Sequence, residues 1–196
     1  MKFQRFLLVS TRLFLGLVFF TSGMGKLTHG NFPGIIGPVW LEERLAEYGL
    51  ALFARFVAYS QVLVGLLLLS QRFATLGAVM LFPMLMSIFM VTVSLQWRGT
   101  PYVNAFLLVL NAGLLIADFH KLKFLLNDDI TELKPLNVRR RTPRVDALWV
   151  LAMILLLGSS LVFGYSRKAF WVIVAIGLLL LIGCQVLAYR QQRVIS

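Results

Sequence analysis

Apolar positions along this chain fall into long unbroken runs, not short alternations. Runs cover residues 6–27, 50–70, 73–96, 102–118, 147–165 and 169–189. Each falls within the about 17–25 residues that a membrane-crossing helix uses. The polar positions inside them are ordered. In the first run Arg12, Gly16, Phe19, Gly23 and Lys26 share one helical stripe. A lipid-facing helix has no reason to put charges and small residues on one side, whereas a helix packed on partners or lining a polar cleft does. The alternative is that both charges snorkel to the headgroups while the glycines permit close packing. The second run carries Gln61 near its middle, where an amide needs protein or a cavity as its partner. The fourth carries Asn104, Asn111 and Asp118 at seven-residue intervals along one face, the pattern of a ligand site or of interhelical glue.

The segments between the runs are short, with one exception. Residues 28–37 are rich in glycine and read as a loop, and Pro38 suits a first helical turn. Over 38–48 the apolar Trp40, Leu41, Leu45 and Tyr48 oppose the polar Glu42, Glu43, Arg44 and Glu47, predicting an interfacial amphipathic helix closed by Gly49. Its acidic face lies within reach of Lys26 or Arg55. Gln71-Arg72 is a tight turn, and Pro83 predicts a kink in the third span. Residues 121–146 form a basic linker whose Pro135 and Pro143 argue against one continuous helix. Ser166-Arg167-Lys168 joins the last two runs in a membrane hairpin with no ionisable residue in its middle. Lys2 and Arg5 before an apolar run also suit a signal peptide, but Arg12 interrupts that run, so a retained span is expected.

Composition agrees with this pattern. Of 196 residues, 59% are apolar and 14% charged, and mean hydropathy is +0.84. A net charge of +11 would suggest nucleic acid in a soluble protein. In a chain made of spans it points to Lys- and Arg-rich cytoplasmic loops, and nucleic-acid binding is not expected. With the N-terminus inside, and Arg12 and Arg55 set aside as lying within spans, Lys and Arg number 12 on the inner side and 5 on the outer, Lys26 among them, supporting N-in/C-in. Arg12 and Asp118 then share the inner layer and predict a buried pair, since neither charge is stable there alone. The single cysteine, Cys184, excludes an intrachain dithiol, and His29 and His120 fall on opposite faces, so no metal site is expected.

Three stretches carry a family resemblance. Arg12-x-x-x-Gly16-x-x-Phe19-x-x-Ser22-Gly23-x-Gly25-Lys26-Leu27 resembles the opening motif of the DoxX-like membrane proteins. Gly65-Leu-Leu-Leu-Leu resembles their second-span motif, and Asn104 through Asp118 resembles their last core span. Those proteins usually carry a glutamate shortly before the second-span glycines, where this chain has Gln61. The resemblance covers about residues 5–120. It implies a multi-pass protein of the bacterial cytoplasmic (inner) membrane, some relatives being subunits of quinone-linked sulfur oxidation complexes or partners in oxidant defence.

The expected fold is therefore all-α, a polytopic membrane helix bundle. A four-helix core occupies 1–120, the basic linker 121–146, and a two-helix hairpin with a basic tail 147–196. Functionally the chain reads as an accessory or quinone-associated subunit of a redox or oxidant-defence assembly, with no catalytic residue of its own. Arg12, Lys26, Gln61, Asn104, Asn111 and Asp118 are the candidate ligand-binding residues, with Lys26 or Asn104 contacting a quinone carbonyl. The implied partners are the lipid bilayer and redox-complex subunits, and an oligomer is compatible with the sequence. Two other readings stay open: a structural or assembly protein, and a small carrier or lipid-binding protein.

Overall fold

A computed structural model of the chain describes residues 2–126 and 143–193. The described residues hold helices and connecting loops and no strand. Two compact units divide the chain, Met1–Asp128 and Asp129–Ser196. Six helices are long and apolar enough to cross a membrane. The chain is thus an all-helical membrane protein.

The first unit contains α1 (Lys2–Leu27), α2 (Leu41–Ala46), α3 (Ala51–Leu69), α4 (Ala74–Ser94), α5 (Thr100–Ala117) and α6 (Phe119–Leu126). The long helices α1, α3, α4 and α5 alternate in direction and close into a ring in which α1 touches both α3 and α5. This is an up-down four-helix bundle. Leu15, Val18, Leu68, Leu81, Leu85 and Leu114 fill its centre.

The tightest seam runs between α1 and α3. A Cβ at Gly16 would lie 3.0 Å from the Leu69 backbone N, and one at Gly23 would lie 2.7 Å from the Ala58 carbonyl oxygen. A Cβ at Gly65 would lie 2.7 Å from Phe20 Cα. Small residues on both helices let the two backbones approach, a contact that in lipid replaces the missing hydrophobic drive. The predicted stripe of α1 accordingly faces inward, with Gly16, Phe19, Gly23 and Lys26 buried.

Several elements differ from the expected ones. The amphipathic helix shrinks to Leu41–Ala46, because Gly37 takes φ +107° and Pro38 stays in the loop before it. Only Leu41 and Leu45 of its four apolar residues are buried; Trp40 and Tyr48 are exposed. Gly49, at φ +72°, ends the turn as expected, its N–H donating to Ala46 O while Leu50 N–H donates to Leu45 O. Glu42 pairs with Arg55 at 2.5 Å and ties α2 to α3, so the acidic face does not engage Lys26. Pro83 lies inside α4, as the third run placed it, and is exposed. α6 is an additional helix at the start of the basic segment, while residues 127–142 of the expected linker lie outside the described residues.

The second unit is a hairpin of α7 (Pro143–Phe163) and α8 (Arg167–Arg193). Both helices are longer than the predicted runs, and Pro143 sits in the first turn of α7, where its missing N–H costs nothing. Phe163 and Phe170 meet edge to face at 5.2 Å beside the turn. Leu156 lies against Gly177, and Cys184 is buried near Val145.

The α1–α3 seam gives a direct test. Gly65→Ala is expected to destabilise the protein by about 1–3 kcal/mol, the usual range for overpacking. Gly113→Ala, where an added Cβ meets nothing within 4 Å, is the matched control and is expected to be neutral or slightly stabilising. Thermal unfolding in one detergent, read side by side, checks both.

Candidate ligand site

The six sequence-predicted residues separate into two groups and a bridge. Lys26, Gln61 and Asn104 line one cavity of about 350 Å³ at the end of the bundle that carries α2. Arg12 and Asp118 meet at the opposite end, and Asn111 is fully buried on the α5 face between them. One site holding all six, as the sequence suggested, is therefore replaced by two polar centres. The reason is helical geometry. Fourteen residues separate Asn104 from Asp118, about 21 Å along the axis at 1.5 Å per residue. The fully buried Leu15 and Leu114 occupy the interval.

At the α2 end, Lys26 curls back along its own helix. Its Nζ donates to Ser22 Oγ at 2.6 Å, to Ser22 O at 3.3 Å and to Gln61 Oε1 at 3.0 Å. Each partner is neutral, and among the described residues no carboxylate lies within ion-pair distance of this ammonium. The α1–α3 seam puts it there, since the close approach at Gly23 carries the next turn of α1 against Gln61. Gly37 roofs the amine: a Cβ there would lie 3.2 Å from Nζ and 2.9 Å from Ser22 Oγ. The walls are mostly apolar, with Phe19, Ile88 and Leu107 among them. Trp40 and Trp97 stack at the loop side with centroids 5.3 Å apart. A buried cation in an apolar pocket is expensive unless something shares its charge, and a ligand oxygen is one such partner.

At the other end, Arg12 Nη2 donates to Asp118 Oδ2 at 2.5 Å, the pair expected from the topology of the two spans. Thr75 Oγ1 donates to the same oxygen at 2.9 Å. Asn111 Nδ2 donates to Ala78 O at 3.0 Å and stitches α5 to α4. These are bonds between helices; Asn111 Oδ1 is buried without a partner among the described residues.

Sequence reasoning missed part of the cavity. Ser22 lay inside the first motif, one turn before Lys26, and that spacing was the signal for it. Thr92 carries no sequence signal, because a threonine in an apolar run is unremarkable until its neighbours are known. Gly37 was visible only as one of several loop glycines.

Residues 7–94 match the DoxX family model. They form a DoxX domain. The DoxX match takes in α2, α3, α4 and nearly all of α1, and with them Lys26, Gln61 and the α1–α3 seam. It ends at Ser94, so α5 with Asn104, Asn111 and Asp118 joins the DoxX domain through packing seen in the structure. No curated protein and no solved structure matches the chain.

The Arg12–Asp118 pair predicts an asymmetric mutational pattern. Asp118→Ala strands a part-buried guanidinium and is expected to cost about 3 kcal/mol. Replacing both partners together, Arg12→Met with Asp118→Leu, is expected to restore most of that loss. Unfolding midpoints of the two single variants and the double variant check the pattern.

Proposed function

We propose that this DoxX-family integral membrane protein binds a quinone in the Lys26 cavity and serves as an accessory subunit of a redox or oxidant-defence assembly in the bacterial cytoplasmic membrane. The observation that carries the reading is the buried Lys26 ammonium, held by neutral oxygens, without a carboxylate partner among the described residues, beside an apolar volume of about 350 Å³. That volume lies in the range of small-molecule sites, which combine apolar walls with a few fixed polar groups. A quinone ring has the matching chemistry: an apolar body, carbonyl acceptors and an isoprenoid tail at home in lipid. Lys26 and the Gln61 amide would hold the carbonyl, while Phe19, Ile88 and Leu107 would pack the ring. The quinone, when bound, supplies the electron-carrying chemistry that these side chains lack. A protein partner supplies or takes the electrons.

The half of the bundle that holds Arg12 and Asp118 favours a second reading in the same molecule. Asn111 joins α5 to α4, and Asp118 joins α5 to α1 and α4, which supports a structural or assembly role for that half.

The quinone reading is tested by titrating the purified protein with a decyl-substituted benzoquinone under calorimetry. Saturable binding is expected. Lys26→Met is expected to weaken it by about tenfold or more, because a charged donor contributes roughly 1.5–3 kcal/mol. Lys168→Ala, which removes an exposed cation of the hairpin, is expected to leave it unchanged. Wild-type protein that takes up quinone no better than empty detergent would remove the reading.

We also propose the N-in/C-in orientation, on the excess of basic residues on that side. In a Cys184→Ser background, an impermeant maleimide added to intact cells is expected to label Arg98→Cys, and to label Arg72→Cys only after permeabilisation. The reverse pattern would invert the topology.

A further inference from the structure

The polar end of the cavity has two sides of opposite hydrogen-bonding character. Gln61 Oε1 accepts from Lys26 Nζ at 3.0 Å, which fixes the amide with its Nε2 as the remaining group. That Nε2 makes no hydrogen bond within the described residues. Asn104 is fixed in the opposite sense. Its Nδ2 donates to Thr92 Oγ1 at 3.4 Å, and the Thr92 hydroxyl gives its own proton to Phe89 O at 2.9 Å. Thr92 Oγ1 is thus an acceptor toward Asn104, and reversing the amide would set two oxygens against each other. Asn104 Oδ1 remains as an acceptor without a partner among the described residues, on a cavity-lining residue only 8% exposed. Gln61, the donor side, is only 4% exposed.

We infer that the cavity is built for a head group that accepts a hydrogen bond on one side and donates one on the other. Resting on the quinone reading above, this means that the reduced dihydroxy form, the quinol, binds more tightly than the quinone. Toward Lys26 and Gln61 both forms present an acceptor oxygen, the carbonyl the stronger of the two, so the preference for the quinol comes from the Asn104 side. Toward Asn104 they differ. The quinol has an O–H to give to Oδ1, whereas the quinone presents a second acceptor and leaves the Asn104 oxygen desolvated and unpaired. Sites that offer a buried polar partner reject the analogue that cannot use it. The expected preference is about tenfold. Each tenfold preference for the reduced form raises the midpoint of the bound two-electron couple by about 30 mV. Thr92 acts here as a positioning residue, because it sets which end of the Asn104 amide meets the ligand.

The test is anaerobic calorimetry on the intact detergent-solubilised protein with a decyl-substituted benzoquinone and its chemically reduced quinol. Wild type is expected to bind the quinol about tenfold more tightly. Thr92→Val keeps the shape but frees the Asn104 amide to turn, so the preference is expected to collapse through a gain in quinone affinity. Thr92→Ser is expected to retain it. Gln61→Leu is expected to weaken both forms, and Asn104→Leu to weaken the quinol alone. Equal wild-type affinities, or a preference untouched by Thr92→Val, would overturn this inference and leave the quinone site standing. Binding of neither form would remove the quinone site and this inference with it.

Discussion

The close approach of α1 and α3 is the constraint on which the rest of the first unit depends. Gly16 and Gly23 on one helix and Gly65 on the other bring backbone against backbone. In water such a seam would be one packing detail among many. In a bilayer, where lipid tails are as apolar as the side chains, dispersion contacts and interhelical bonds hold helices together. The seam also sets the register that makes the chemistry. With Gly23 against Ala58 and Val62, Ser22 and Lys26 come level with Gln61, and a lysine near the end of its helix is drawn under Gly37. Lys26 does not simply reach for the headgroups; its amine folds back one turn toward Ser22.

The two ends of the bundle use charge in opposite ways. Arg12 is answered by Asp118, with Thr75 donating to the same carboxylate. That end is paired, and its value is in choosing which faces of α1, α4 and α5 meet. Among the described residues Lys26 is answered by dipoles, and its end encloses a cavity. A carboxylate fixes a helix register with a charged bond. An ammonium among dipoles keeps its charge, and an arriving oxygen would displace the longest of its three bonds, that to Ser22 O at 3.3 Å. Leu15 and Leu114 separate the two ends, so one can serve structure while the other serves a ligand.

Much of this was legible in the chain. Long apolar runs report spans because every backbone polar group in lipid must be satisfied within a helix, and no other pattern does so over that length. The inward stripe of α1 followed from its period, and the Arg12–Asp118 contact followed from placing both charges in one layer. What the runs could not report was partnership across helices. Asn104, Asn111 and Asp118 repeat at one interval and read as one feature, yet each bonds to a different neighbour: Thr92, Ala78 and Arg12. The period of a helix says which residues share a face, and it is silent about what stands opposite. The short helix began later than its apolar pattern for a related reason. A glycine at positive φ before the short helix re-aimed the chain, and loop geometry has no periodicity from which to read it.

Gln61 shows how one substitution in a motif can alter what a pocket is for. DoxX-like proteins usually carry a glutamate in this part of the second span. A carboxylate facing Lys26 would close the charge within the protein, as Asp118 closes Arg12. An amide of nearly the same shape accepts from the ammonium through Oε1 and keeps the site cationic. It also leaves Nε2 as a further donor. The departure from the family pattern removes a proton-carrying group, and with it the ground for proton transfer through this position. In exchange it leaves an uncancelled charge beside an apolar volume, a combination whose electrostatic cost falls when an oxygen-bearing ligand shares the charge. The same residue that weakens a catalytic reading of this chain is thus the one that strengthens a binding reading.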